Sequence, residues 1–461
     1  EKQVFNLKLL RLSFKNEQDM NAKLKILLLG ILCLKSFGTF SQEVISDKPF
    51  EPFVWASEVP ADCPFPKSEL YMGLRFTGNH KYYGWADTWY PTWASDGNLY
   101  SPFTDGGVNG FESYSFAGDD THTGAAIILG DDPQKLIRYP ASLHQSSSEP
   151  YVGRYPCGSL VYNGIWYYGT YCVDVKPCPE YPYIQTWKGR PCDIYKSKPE
   201  KGKFNEGMNI NYLGPFVGFR TSTDMGQTWK ETPHTPGNPI FPDPIAPFKD
   251  TKIGSPHFVD FGKNMEFSPD GNAYLVAHGS IDNDPMPKCD NASWITGDAI
   301  YLLRVKPSIE NMNDASKYEF FCGYDNAHKP LWSNDFTKIK PLLEWNNNCG
   351  CVTMTYNSKL KRYLMFVSYG VTSFTKFNTY ILESEQITGP WKLVTYMKNF
   401  GEQAYFVNAP TKFISNYGRK MWMIYSARHN PGDFNEEYKI NPPGGMYGMS
   451  LQEFELVSIK K

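Results

Sequence analysis

The sequence predicts an all-β protein, a single five-bladed β-propeller. Three observations predict it. Strand pairs recur around strong turn signals along the whole chain, and no amphipathic helix longer than two turns is evident. Aromatic residues make up 16% of 461 residues, and the 38 Gly and 35 Pro are spread out rather than clustered. Aromatic side chains favour strands, and Gly and Pro favour tight turns, so this mixture suits many short strands.

The strand pairs follow in order. Tyr90–Trp93 and Leu99–Phe103 flank Ser95-Asp96-Gly97-Asn98, and Ser159–Tyr162 and Trp166–Tyr171 flank Asn163-Gly164. Val217–Thr221 leads into Asp224-Met225-Gly226. Asn264–Phe267 and Ala273–Ala277 flank Pro269-Asp270-Gly271, Val352–Tyr356 and Tyr363–Ser368 flank Asn357–Lys361, and Phe413–Ile414 and Met421–Tyr425 flank Asn416–Gly418. Asn-Gly and Asp-Gly between alternating or aromatic segments are the strongest local hairpin signals. Grouped by spacing, the pairs make five sheets near 80–135, 150–230, 255–306, 345–395 and 400–456, with insertions at 174–211 and 282–298. Small antiparallel sheets repeated radially close into a ring that protects their edges. A two-sheet sandwich of this length would need two domains, and no linker divides the chain.

The N-terminal region reads as a targeting segment. Met20–Lys25 is short and basic, Ile26–Leu34 is apolar but too short to span a bilayer, and Thr39-Phe40-Ser41 supplies small residues for cleavage before Gln42. The expectation is a secreted or periplasmic protein whose mature domain is 42–461, with 1–19 lying upstream of the natural start at Met20. Gly30-Ile31-Leu32-Cys33 lacks the small residue expected before a lipidated cysteine. The formal net charge is −2, with no basic stripe, which argues against a nucleic-acid partner. Nine cysteines follow the leader, an odd number, and export would allow some to pair. Cys349-Gly350-Cys351 has no second pair and makes a poor zinc pattern.

Ser222-Thr223-Asp224-Met225-Gly226-Gln227-Thr228-Trp229 fits S-x-D-x-G-x-x-W, and resembles the Asp box of sialidase-like propellers. Its Ser and Asp hold a turn, its Gly supplies positive φ, and its Trp packs beneath, so it speaks for fold and not for chemistry. The first hairpin is different. Pairing Ser95 with Asn98 brings Asp87 and Asp105 to within one residue of direct opposition at the hairpin's open end, among Trp85, Trp89 and Trp93. Cross-strand neighbours lie roughly 4.5–5.5 Å apart at Cβ, where like charges repel. Two carboxylates so placed hold protons with unequal strength, as an acid and base pair requires. Pro91 and Pro102 favour a sheet edge, and the innermost strand of a blade is such an edge, lining the axial channel. The competing reading is that both aspartates cap loops.

Gly84-x-x-Asp87-Thr88, Trp93, Asp96-Gly97 and Asp105-Gly106 resemble the first blade of five-bladed propeller glycoside hydrolases, and among these the endo-acting D-arabinan hydrolases, whose first-blade motif carries two catalytic aspartates at similar spacing. Ser268–Tyr274 and Asn408–Phe413 resemble later blades, so the likeness covers most of 75–430, while the cysteine-bearing insertion at 172–192 departs from it. The resemblance implies carbohydrate hydrolysis, with Asp87 and Asp105 as acid and base. It also suggests Glu266 as a third acid, at the start of a strand in the third sheet where arabinanase and xylosidase propellers place a general acid, with Glu402 as the alternative.

Residues at other strand starts are expected to line the same pocket. These are Arg154 and Tyr155 before the second sheet, His257 and Asn264 in the third, Tyr405 and Asn408 in the fifth, and Arg428 with His429 after its second strand. With Trp85 and Trp93 they would bind sugar, the rings by stacking and the polar groups through hydroxyls. His278, in an apolar strand, reads as core. No cofactor is required, and a structural calcium in the channel would fit the fold although no ligand motif is present. The expected partner is a carbohydrate, with no membrane span. Two other functions share the pocket: a polysaccharide lyase using Tyr155, His257, Arg428 and His429 on a uronate, and a non-catalytic carbohydrate-binding propeller. A sialidase would need an arginine triad and a Tyr–Glu pair.

Overall fold

The structure, a computed structural model, describes residues 46–174, 184–187, 190–193, 212–243, 251–282, 293–370, 375–429 and 440–459, with backbone alone for 184–187, 190–193 and 212. The leader, Cys178, Cys289 and the Cys192 side chain lie outside the described residues. Asp47–Lys461 forms one compact unit. No helix among the described residues is long and apolar enough to cross a membrane.

Five antiparallel sheets succeed one another along the chain. Blade one runs Thr92–Trp93, Leu99–Phe103, His122–Leu129, Ile137–Gln145 from the inside outward. Blade two is Gly153–Tyr162, Ile165–Asp174, Tyr212–Ser222. Blade three is His257–Phe258, Ala273–Gly279, Ala299–Val305, Tyr318–Tyr324, Pro330–Ser333, with Leu343–Glu344 paired to Ala299–Val305. Blade four is Cys351–Asn357, Arg362–Tyr369, Asn378–Ser384, Lys392–Met397. Blade five joins Tyr405–Asn408, Lys420–Ser426 and Met449–Ser458 to Tyr71–Tyr83 and Phe53–Val54 from the other end of the chain.

Hydrogen bonds between inner segments close these sheets into a five-bladed β-propeller. Val161 N donates to Thr92 Oγ1 (3.2 Å) between blades two and one. Gly158 N donates to Pro256 O (2.8 Å), and Asp260 N to Met354 O (2.9 Å). Thr353 Oγ1 donates to Val407 O (2.6 Å) between blades four and five, and Asn408 Nδ2 to Trp89 O (3.0 Å) completes the circuit to blade one. The Asp260 carboxylate adds a tie to blade five, accepting from Thr411 N and Thr411 Oγ1, both at 2.7 Å. Apolar cores fill the spaces between neighbouring sheets. Leu275 and Val352 belong to the core spanning blades two to four, Phe366 and Leu74 to that between four and five, and Trp89 and Leu451 to that between five and one.

Three expected pairings differ. The 264–267 segment is no strand: Gly262 (φ 88°), Asn264 (φ 52°) and Met265 (φ 58°) wind it into a short 3-10 turn at Lys263–Met265. Its place beside Ala273–Gly279 is taken by His257–Phe258. Phe413–Ile414 likewise closes a 3-10 turn, and Lys420–Ser426 pairs with Tyr405–Asn408 instead. The first hairpin turns over three residues, Ser95–Gly97, with Ala94 N donating to Asn98 O (3.0 Å), because Asp96 Oδ1 captures Asn98 N (2.9 Å). The strand order also reveals an outer strand, Tyr71–Tyr83, that hairpin logic did not reach.

The segment Ser222–Trp229 folds as a held turn. Ser222 Oγ accepts from Gly226 N (2.8 Å), Asp224 Oδ1 accepts from Thr228 N (2.9 Å), and the Trp229 ring meets Trp166 edge-on at 5.2 Å. Among the described residues Cys63, Cys157, Cys322, Cys349 and Cys351 form no disulfide. Cys349 and Cys351 are buried among protein acceptors, Trp345 O and Trp294 O respectively. Among the described residues no group of three or more His, Cys, Asp or Glu could hold a metal ion.

Candidate active site

A cavity of about 150 Å³ opens beside the inner segments of blades one, two and five. Asp87 and Asp105 stand on blade one, Tyr155 and Tyr171 on blade two, Tyr405, Phe406 and His429 on blade five, and Trp294 precedes the third strand of blade three. Tyr90, from blade one, stacks on His257 of blade three with ring centroids 3.8 Å apart.

Local backbone explains how one hairpin aims both acids inward. Asp87 pairs with Thr104 in an isolated bridge, N to O at 2.8 and 3.1 Å, one residue out of register with Thr92–Tyr100. Regular alternation would then turn Asp105 to the opposite face from Asp87. Asp105 instead adopts φ 48°, a left-handed conformation that re-aims its side chain. Ala86 (φ 119°) and Thr88 (φ 64°) bracket Asp87, and the Trp89 indole N–H holds the Ala86 carbonyl at 2.8 Å. Phe406, across the cavity, has φ 55°. Such conformations cost roughly 1–3 kcal/mol each and concentrate at functional sites. Gly106 is required by close approach, since a Cβ there would lie 2.5 Å from Ala86 Cα.

Asp87 is 4% exposed, and three hydroxyls serve it. Thr88 Oγ1 donates to Oδ1 (2.8 Å), Tyr405 Oη to Oδ2 (2.7 Å), and Tyr447 Oη approaches Oδ2 at 3.2 Å while lying 2.8 Å from Asp105 O. Asp105 is half-buried and accepts from Ser115 N (2.9 Å) and the Tyr155 hydroxyl. Burial, and for Asp87 the adjacent Asp105 charge, push both carboxyls above the usual range. The hydroxyl donors oppose this shift at Asp87 and do not overcome it. The pair therefore titrates as a unit, and the deeper Asp87 keeps its proton longer. Burial holds the tyrosine hydroxyls protonated and lowers His429 to about 4, so its ring is neutral at physiological pH. His429 Nδ1 is buried and has no partner among the described residues.

The structure brings together Asp87, Asp105, Tyr155, Tyr405 and His429 of the residues expected from sequence. Glu266 is not among them. It is exposed at the end of the Lys263–Met265 turn, where Lys263 N bonds it (3.3 Å), because the expected strand is a surface turn. Asn264 is tied to the Asn163 turn of blade two (Nδ2 to Oδ1, 3.0 Å), on the same surface and off the cavity. Glu402 is buried against Lys376 (3.0 Å) and does not line it either. Trp85 is 41% exposed outside the cavity, and Trp93 packs into the core between blades five and one. Arg154 points away to Thr170, Ser147 O and Glu231, since alternation along its strand sends Tyr155 inward instead. His257 lies under Tyr90, Asn408 stitches blade five to blade one, and Arg428 reaches Met446 Sδ (3.5 Å) rather than the cavity. His278 is a buried histidine bonded to Ser293 O (2.7 Å).

Sequence reasoning missed Thr88, Phe116, Tyr171, Trp294, Phe406 and Tyr447. Tyr171 belongs to a strand already read as aromatic, and its inward aim follows only from register. Tyr447 sits in Gly444-Gly445-Met446-Tyr447-Gly448, a segment with no strand periodicity.

No family model and no curated protein matches this chain. Solved structures do resemble it. A β-xylosidase is 13% identical over 83% of this chain and 95% of its own, with a TM-score of 0.39. A putative hydrolase from Bacteroides ovatus is 12% identical over 87% and 94%, at 0.42. An α-L-arabinofuranosidase from Podospora anserina, solved with cellotriose, is 10% identical over 89% and 99%, at 0.37. Likeness of this degree leaves the reaction to be read from the site itself.

Proposed function

We propose that the protein is a glycoside hydrolase in which Asp87 and Asp105 perform the chemistry. One observation carries this reading: a buried and a half-buried carboxylate from one strained hairpin share a cavity walled by aromatic rings. Asp87, the deeper acid with no N–H donor among its hydrogen bonds, holds the proton that a leaving glycosidic oxygen needs. Asp105, bonded by Ser115 N and the Tyr155 hydroxyl, is the better anion and acts as base or nucleophile. Trp294, Tyr171 and Phe116 offer faces for a sugar ring, and the free Nδ1 of neutral His429 can meet a sugar hydroxyl. Export through the N-terminal leader fits an extracellular or periplasmic glycan as substrate.

A screen of purified protein against plant, algal and arabinan polysaccharides, read by reducing ends, tests the proposal. Turnover should appear and should fall by about 10²–10⁴-fold in Asp87→Asn and Asp105→Asn, with binding retained. An unsaturated uronate product would identify a lyase instead. Binding with no turnover, unchanged by either substitution, would identify a non-catalytic binding protein.

A further inference from the structure

We propose that Tyr447 is a positioning residue of this site: its one hydroxyl hydrogen serves the Asp87 carboxylate when that group is charged and the Asp105 main-chain carbonyl when Asp87 carries the proton. A phenol has one hydrogen to donate and lone pairs with which to accept. Tyr447 Oη lies 2.8 Å from Asp105 O and 3.2 Å from Asp87 Oδ2, and neither can receive that hydrogen while the other does. A carbonyl oxygen cannot donate, so the arrangement has two consistent states. With Asp87 ionised, Tyr405 and Tyr447 both donate to Oδ2. With Asp87 protonated on Oδ2, Asp87 donates to Tyr447 and Tyr447 donates to Asp105 O. In both states the buried Asp87 carboxyl is satisfied, which matters because an unpartnered buried polar group is costly. The same phenol also fixes the main chain of Asp105 against Asp87, from a different blade.

Other groups face Asp87 and define the comparison. Asp105 and Tyr90 belong to its own blade. Tyr155 and Tyr171 face it from blade two, and Cys351 from blade four. Tyr405 and His429 share the cavity from blade five. Tyr405 bonds Asp87 and the Tyr447 hydroxyl but not Asp105, so among the described residues Tyr447 is the one hydroxyl that links both acids through one atom.

The inference rests on the hydrolase reading for its catalytic consequence, but its first test needs no substrate. Carboxyl carbons of labelled aspartate are titrated by NMR in the whole protein, with Asp87→Asn and Asp105→Asn giving the assignments. In Tyr447→Phe the Asp87 midpoint should rise by roughly 0.5–1 pH unit, because the charged form loses a donor. Tyr82→Phe is the control, since the Tyr82 hydroxyl holds the main-chain oxygen of Tyr447 (2.7 Å) without touching either acid. It should leave the midpoint in place. In the unaltered protein, the Tyr447 ring-oxygen-bearing carbon should shift with the Asp87 midpoint, a readout that survives even if the Phe variant misfolds. An unmoved midpoint in folded Tyr447→Phe, or a Tyr447 resonance flat through the Asp87 titration, overturns the proposal. With a hydrolysed glycan in hand, Tyr447→Phe should lower kcat about 10-fold with KM unchanged and move the alkaline limb of the pH profile upward. Absence of hydrolysis by the unaltered protein would count against the hydrolase reading, while the titration still decides the role of Tyr447.

Discussion

Asp87 is served by the hydroxyls of Thr88, Tyr405 and Tyr447, and none of these bears a positive charge. Dipoles alone support its ionised form, so burial and the neighbouring Asp105 charge win, and its affinity for a proton rises. The consequence for stability has a definite sign. A carboxyl raised in the folded state contributes fully below the unfolded aspartate value, and its contribution is lost as pH rises toward the folded one. From about pH 5 to about pH 8 the urea midpoint of the unaltered protein should therefore fall more steeply than that of Asp87→Asn, which has no carboxyl at this position to titrate. Parallel curves would mean that Asp87 is not raised. The sequence disclosed both aspartates because they belong to a single hairpin, where pairing can be counted. It placed Arg154 in the pocket beside Tyr155, but successive residues of a strand face opposite sides, and only Tyr155 turns inward.

At the scale of the element, the first hairpin is a bent one. Its turn takes three residues, its register slips again at Asp87–Thr104, and Asp105 leaves the extended region. Each irregularity re-aims a side chain that a regular ladder would point elsewhere. Gly106 allows the two arms to close at this point. Gly106→Ala should cost about 1–3 kcal/mol and lower activity together with it, because a Cβ would meet the Ala86 main chain. Gly110→Ala, in the same blade with nothing within 4 Å, should cost only the strain of its φ of 86°, about 1 kcal/mol. Chemical denaturation of both variants measures the difference, and equal losses would show that contact with Ala86 is unimportant. The 264–267 segment shows the opposite failure of local reading. Its Phe and Met suggested a strand, but left-handed residues at Asn264 and Met265 wound it into a surface turn and took Glu266 off the site.

For the whole molecule, closure of the ring decides what a blade can do. Blade five is made from both ends of the chain, with Tyr71–Tyr83 lying beside Met449–Ser458. Leu74 and Phe76 of that early strand are fully buried in the core with Phe366 and Leu456. A chain beginning at Gly84 should lose cooperative thermal unfolding, followed by circular dichroism, because blade five would expose that core and the ring would open. A sharp transition in the truncated chain would show that closure comes from the inner hydrogen bonds alone. Blade five also delivers Tyr405, Phe406, His429 and Tyr447 to the site, so the same closure that stabilises the fold completes the cavity.

The sequence by itself determined the architecture, the number of sheets and the acid pair, because hairpins and turns are local and their signals lie within a few residues. Only the tertiary structure decided which residues surround those acids. Trp294, Phe406 and Tyr447 reach Asp87 and Asp105 from blades far away in sequence, and their aim depends on inter-blade register and on single residues of unusual backbone conformation. Neither of these is written in local periodicity.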